Sequence, residues 1–212
     1  LTELVFILDR SGSMHGLEAD TLGGFNSMLK QQRRTPGRTL ISTVLFSHTA
    51  QVLHDRTPLP RVSPMTERDY TTGGCTALLD ALGGAIHHIG MIHKYARRED
   101  VPVRTLFVIT TDGMENASRR YTLPQVREMV GRQKEKYGWE FLFLGANIDA
   151  VETAAGFGIG ADHAVDYHCD SAGTRLNYDV LSHTIQAFRQ AVPISAGWQA
   201  PIARDFHERK GK

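Results

Sequence analysis

Residues 4–8 read Leu-Val-Phe-Ile-Leu, five apolar side chains in succession. A strand points successive side chains to opposite faces, so an uninterrupted apolar run needs cover on both. Residues 103–109 and 139–144 are similarly rich in apolar side chains. Between these runs the pattern changes to helical spacing. Leu17, Thr21, Phe25, Met28 and Leu29 recur on one stripe, and Leu78, Leu82, Ala85, Ile86, Ile89 and Ile92 on another. Buried strands that alternate with amphipathic helices fit a parallel sheet sandwiched between two helical layers.

The remaining segments fill in that plan. Residues 40–46 and 50–53 flank Ser47-His48-Thr49, which predicts a hairpin and one antiparallel edge strand. Thr35-Pro36-Gly37 stops the first helix. Residues 57–74 are rich in Pro, Thr and Gly and predict a surface loop. Leu123-Pro124 opens a helix, since proline lacks an N–H that the first turn would leave unpaired. A short helix at 149–155, a sixth strand at 164–167 and a last helix through Val180, Leu181, Ile185, Phe188 and Val192 complete the order. The expected fold class is therefore α/β: a doubly wound, mostly parallel six-stranded sheet with one antiparallel edge strand and helices on both faces. One domain is expected over residues 1–192, with a loosely packed tail over 193–212.

Several function classes are disfavoured by composition. The chain has 212 residues and a formal net charge of +1, so it exerts no global pull on nucleic acid or an anionic membrane. No apolar run approaches the roughly 20 residues of a membrane span. No secretion signal is expected, and the expected location is cytoplasmic. Two cysteines, Cys75 and Cys169, build neither a disulfide framework nor a zinc site, and buried reduced thiols are expected.

Oxygen donors concentrate in three loops. Asp9-Arg10-Ser11-Gly12-Ser13 follows the first strand, Thr72-Gly73-Gly74-Cys75-Thr76 precedes the second long helix, and Thr110-Thr111-Asp112-Gly113 follows the fourth strand. Open α/β sheets bind ligands at the carboxyl ends of their strands, where the strand order reverses. If the first and fourth strands are neighbours there, Asp9, Ser11, Ser13, Thr76 and Asp112 converge. Two carboxylates and three hydroxyls suit a hard cation that keeps exchangeable water, Mg²⁺ or Mn²⁺, and are too few in charge for a caged Ca²⁺.

These three loops resemble the metal-ion-dependent adhesion site of von Willebrand factor type A (VWA) domains. That site is written Asp-x-Ser-x-Ser, then a Thr after a glycine-rich loop, then an Asp after the fourth strand. Asp9, Ser11, Ser13, Thr76 and Asp112 fill all five positions, and the resemblance spans about residues 1–192. It implies a non-enzymatic, cation-dependent interaction module whose protein partner supplies a Glu or Asp to the ion. It implies neither nucleic-acid binding nor a bound organic cofactor, and leaves the oligomeric state open. The segment before Thr76 is short for the family and leaves little room for a separate helix.

Two other functions compete. A Mg²⁺-dependent phosphatase of the haloacid-dehalogenase kind also places an Asp after its first strand, but wants a second Asp where Ser11 stands. The other is a scaffold with a vestigial metal site. Gly156-x-Gly158-x-x-Ala161 resembles a dinucleotide fingerprint, but a helix precedes it and a strand follows, the reverse of what that motif needs. His15, Arg10 and Asn147 are candidates for the rim. His87, His88 and His93 share a helix without metal-ligand spacing, and surface or packing roles are expected for them.

Overall fold

The computed structural model describes residues 1–209. Among them, six strands form one sheet: β1 (Thr2–Asp9), β2 (Thr39–Phe46), β3 (Ala50–Pro58), β4 (Arg104–Thr111), β5 (Glu140–Gly145) and β6 (Ala164–Asp166). Their order is β3-β2-β1-β4-β5-β6. Every neighbouring pair is parallel except β2–β3, which forms the antiparallel edge. The helices are α1 (Glu18–Gln32), α2 (Leu78–Tyr95), α3 (Leu123–Tyr137), α4 (Ala150–Gly156), α5 (Ser171–Arg189) and α6 (Ala200–Arg209). This is the expected architecture.

The period of two sorts β1 between two cores. Leu4, Phe6 and Leu8 pack with α1, α5 and α6, whereas Val5 and Ile7 pack with α2, α3 and α4. On the first face Phe6 meets Phe25 of α1 edge-on at 5.3 Å. There α1 and α5 touch so closely that a Cβ at Gly24 would lie 2.2 Å from the Tyr178 ring. Only glycine allows that approach, so an apparent weakness inside α1 is a packing requirement.

Three expectations need correction. The 57–74 loop is not simply superficial: Leu59, Val62, Met65 and Tyr70 are buried in the first core. Asn26 of α1 pins it there, donating to the Met65 carbonyl at 2.8 Å and accepting from its N–H at 2.9 Å. Cys75 is exposed rather than buried. Finally, the segment after Pro193 is not loose through Arg209. Trp198 and Ile202 enter the first core, and the Trp198 indole donates to the Asp162 carbonyl at 2.8 Å. Gly and Pro in that stretch hide an amphipathic turn whose apolar face the sheet completes. The last three residues of the predicted tail lie outside the described residues.

Candidate metal centre

The sheet order decides where the oxygen-rich loops meet. From β1 the chain crosses to β2, and later returns to the other side at β4, so β1 and β4 are adjacent at the reversal. Their register pairs Leu8 with Thr110, which sets Asp9 beside Thr111 and one residue short of Asp112. Both aspartates sit at carboxyl ends of strands, where the parallel ladder ends and side chains can face a ligand.

Each carboxylate is fixed by neutral donors. Asp9 accepts from the Ser11 N–H at 2.7 Å and from the Thr111 hydroxyl at 2.6 Å. Its main-chain carbonyl accepts from the Tyr70 hydroxyl at 2.5 Å, which ties the partly buried 57–74 loop to the site. Asp112 accepts from the Ser13 hydroxyl at 2.5 Å on one oxygen and from the Cys169 thiol at 3.3 Å on the other. The Ser11 and Ser13 hydroxyls are 3.1 Å apart.

The loops are also laced through their backbones. Gly12 N–H donates to the Gly74 carbonyl at 3.0 Å, and Gly73 N–H to the Arg10 carbonyl at 2.9 Å. Gly73 and Gly74 hold φ values of 151° and 79°, conformations that side chains disfavour. Asn116 clamps Thr76 to the third loop: its side chain accepts from the Thr76 N–H at 2.9 Å while its own N–H reaches the Thr76 carbonyl at 3.0 Å. A Cβ built on Gly113 would lie 3.3 Å from the Thr76 hydroxyl and 3.5 Å from that of Ser13. Hydroxyls from the first two loops thus converge over the small residue of the third. The structure brings Asp9, Ser11, Ser13, Thr76 and Asp112 to one point.

The electrostatics leave this point short of positive charge. Asp9 and Asp112 are 1% and 2% exposed, and neither has an ion-pair partner among the described residues. Burial, with the nearby Asp9 carboxylate, pushes the Asp112 carboxyl up from its usual range. Burial, with Asp112 beside it, pushes the Cys169 thiol up to about 12, so it donates as a neutral S–H. Two buried carboxylates without a cation are costly unless a cation or a proton compensates them. Among the described residues no three His, Cys, Asp or Glu gather as a metal cage. The donor set instead combines two carboxylates with hydroxyls, which fits an ion content to keep water.

The rim candidates divide. His15 is exposed and sits 3.2 Å from Glu18 and 3.4 Å from the Thr72 hydroxyl, beside the first loop. Arg10 turns to the Asp69 carbonyl at 3.2 Å. Asn147, at φ 56°, reaches toward the Asp112 carbonyl at 3.5 Å, while the α4 cap is Asp149. Gly158, at φ 79°, follows α4 and leads through one 3₁₀ turn to β6 rather than to an α-helix, which removes the dinucleotide reading. Tyr70, Thr111, Asn116 and Cys169 escape the sequence reading. Thr111 stands in the third oxygen-rich loop as the Thr of Thr-Asp-Gly, without a role assigned to it; nothing local points to the other three.

A six-stranded sheet in this order, with its oxygen-rich loops gathered where β1 and β4 part, is a VWA fold. Solved structures of that fold match it. They include proximal thread matrix protein 1 from the mussel byssus with a zinc-occupied MIDAS motif, at 14% identity and TM-score 0.58, covering 87% of this chain and 46% of that one. The ArnB paralog VWA2 from Sulfolobus acidocaldarius matches at 18% identity and TM-score 0.54, covering 87% and 44%. A von Willebrand factor type A protein from Catenulispora acidiphila matches at 13% identity and TM-score 0.55, covering 88% and 42%. The chain spans less than half the length of these three structures. No family profile matches it, and no curated protein sequence does.

Proposed function

We propose that this chain is a divalent-cation-dependent protein-interaction module. Asp9, Ser11, Ser13, Thr76 and Asp112 would hold Mg²⁺, or Mn²⁺ in its place, directly or through water. The observation that carries this is the pair of buried carboxylates without ion-pair partners among the described residues, with the Thr76 and Ser13 hydroxyls meeting over Gly113 and that of Ser11 beside Ser13. An all-oxygen set favours Mg²⁺ or Mn²⁺ over thiophilic ions. The zinc-occupied MIDAS motif of the mussel protein supports a divalent ion at this end of the fold.

When bound, the ion supplies a Lewis-acidic position that a carboxylate can fill. The protein's residues do the rest. Thr111 and the Ser11 N–H hold Asp9 in one orientation, and Ser13 and Cys169 hold Asp112. With two carboxylates against a divalent ion, the local charge balances, and a Glu or Asp from a protein partner completes the sphere. Serine at position 11 offers no carboxyl group there to move a proton, which weighs against hydrolysis. Two measurements test the reading: the melting temperature with and without Mg²⁺, and capture of partners with and without chelator. Asp9→Ala is expected to abolish both the metal-induced shift and the chelator-sensitive capture. A wild-type protein whose melting temperature ignores Mg²⁺ and Mn²⁺ would overturn it.

A further inference from the structure

The opposite end of the sheet carries a second polar constellation. Glu3, near the start of β1, is wholly buried on the face covered by α2. Its carboxylate receives Arg56 Nε at 2.7 Å and is 2.5 Å from His93 Nε2 of α2. Arg56 adopts a φ of 45° to make this contact, and its N–H is held by the Ser42 hydroxyl at 3.0 Å. Positive φ in a non-glycine residue costs about 1 kcal/mol or more, so the surroundings must enforce it. A buried charge cluster rarely improves stability over an apolar substitute; its better-supported use is to fix a geometry. What it fixes here is the imidazole of His93, whose side chain is only 10% exposed.

His93 forms part of the wall of a cleft of about 400 Å³ between the C-terminal parts of α2 and α3. Trp139, 4% exposed, forms another part, edge-on to His93 at 5.3 Å and stacked on Phe107 at 5.3 Å. With Nε2 engaged by Glu3, Nδ1 of His93 has no partner among the described residues, and neither has the Trp139 indole N–H. Lys94, Arg132 and His87 line the same cleft, and no Asp or Glu does. None of these three is ion-paired among the described residues. The lining therefore combines apolar side chains, an immobilised imidazole, an unused indole donor and the cationic side chains of Lys94 and Arg132. Ligand pockets are mostly apolar with a few converging polar groups, and here the Trp139 indole N–H, Lys94 and Arg132 are the groups that favour negative charge.

We infer that this cleft binds a small planar organic anion, its ring among the apolar side chains of the lining and its acid group toward Lys94 and Arg132. The site is built without any residue of the metal centre, so it stands or falls independently of the function proposed above. The probe is 2-naphthoate, compared with its neutral isostere 2-naphthamide, by isothermal titration calorimetry on the full chain. The acid is expected to bind about tenfold more tightly than the amide, the scale of one charge-assisted contact. The double variant Lys94→Gln, Arg132→Gln should lose about tenfold in naphthoate affinity with its melting temperature unchanged. Lys30→Gln, Arg34→Gln removes the same charge from exposed positions outside the cleft and should bind as wild type does. Chelator should have no effect. Equal affinity for acid and amide, no measurable naphthoate binding to the folded wild type, or undiminished binding by the cleft variant would each overturn the inference.

Discussion

Asp9 and Asp112 pose the sharpest question at the scale of single residues, because both are buried and neither meets a cation among the described residues. Like charges in a shared, desolvated site raise the free energy of the metal-free fold. Asp112→Asn should relieve that repulsion while keeping an acceptor for Ser13. The expected outcome is a melting temperature about 2–4 °C higher without metal, roughly 1 kcal/mol for a chain of this size, and no response to Mg²⁺. Calorimetry with and without the ion reads both halves, and a variant destabilised in both conditions would contradict the argument. Cys169 acts one step away, by orienting Asp112 through a neutral S–H. Partners that orient metal ligands typically contribute about tenfold in metal affinity. Cys169→Ala should weaken Mg²⁺ binding by about that factor in a metal titration of the melting temperature, and Cys169→Ser should restore most of it. The five oxygen donors were legible in the sequence because residue type and spacing announce them. Cys169 was not, since only the β6–α5 connection brings it 57 positions back to Asp112.

Elements hold those residues in place by borrowing caps from one another. Ala77 gives α2 no side-chain cap, so the loop after β4 supplies donors' partners instead. Glu115 accepts from the Leu79 N–H at 2.8 Å and Ser118 from the Asp80 N–H at 3.0 Å. Asp80 answers by accepting from the N–H groups of Arg119, Arg120 and Tyr121. This exchange locks the Thr76 loop to the Asp112 loop. Glu115→Ala is expected to cost about 1–2 kcal/mol, as loss of a helix cap does, and to weaken Mg²⁺ binding without touching the ion's ligands. Helix α6 shows the other side of legibility. Its ten residues are too few to signal a helix alone, and only the core reveals their apolar face. Ile202→Ala should cost about 2–5 kcal/mol by thermal or denaturant unfolding. The Arg209 guanidinium beside Asp170, helped by the Gly173 N–H, holds the Asp170 carboxyl below its usual range. Its folded value lies below the unfolded one of about 3.9. The stabilisation is therefore complete well above pH 4 and disappears as the pH falls through the folded value. Asp170 is 48% exposed, so the effect is small after screening. Melting temperatures from pH 7 to pH 3 should fall less in Asp170→Asn than in the wild type.

For the molecule as a whole, the sheet separates two chemistries. The strand order came only from the structure, whereas the layered α/β class was legible from the alternation of apolar runs and helical stripes, because each strand must be covered on both faces. The cleft at the far end was not, since Glu3, Arg56 and His93 lie 53 and 90 positions apart and meet only across the finished sheet. From Glu3 to Asp9 β1 advances six residues, about 20 Å of extended chain. Sites that far apart with no shared partner are expected to be additive within about 0.5 kcal/mol. A ligand that binds only the folded state stabilises it by RT ln(1 + [L]/Kd), about 2.7 kcal/mol at a hundred times Kd. For a chain of this length that is a rise of about 5–11 °C in melting temperature. The Lys94→Gln, Arg132→Gln variant should show the full Mg²⁺-induced rise, and Asp9→Ala should show none while retaining naphthoate affinity. A metal shift that changed by more than about 0.5 kcal/mol in the cleft variant would mean that the strands transmit strain between the two ends, and the ends would then have to be treated as one coupled system.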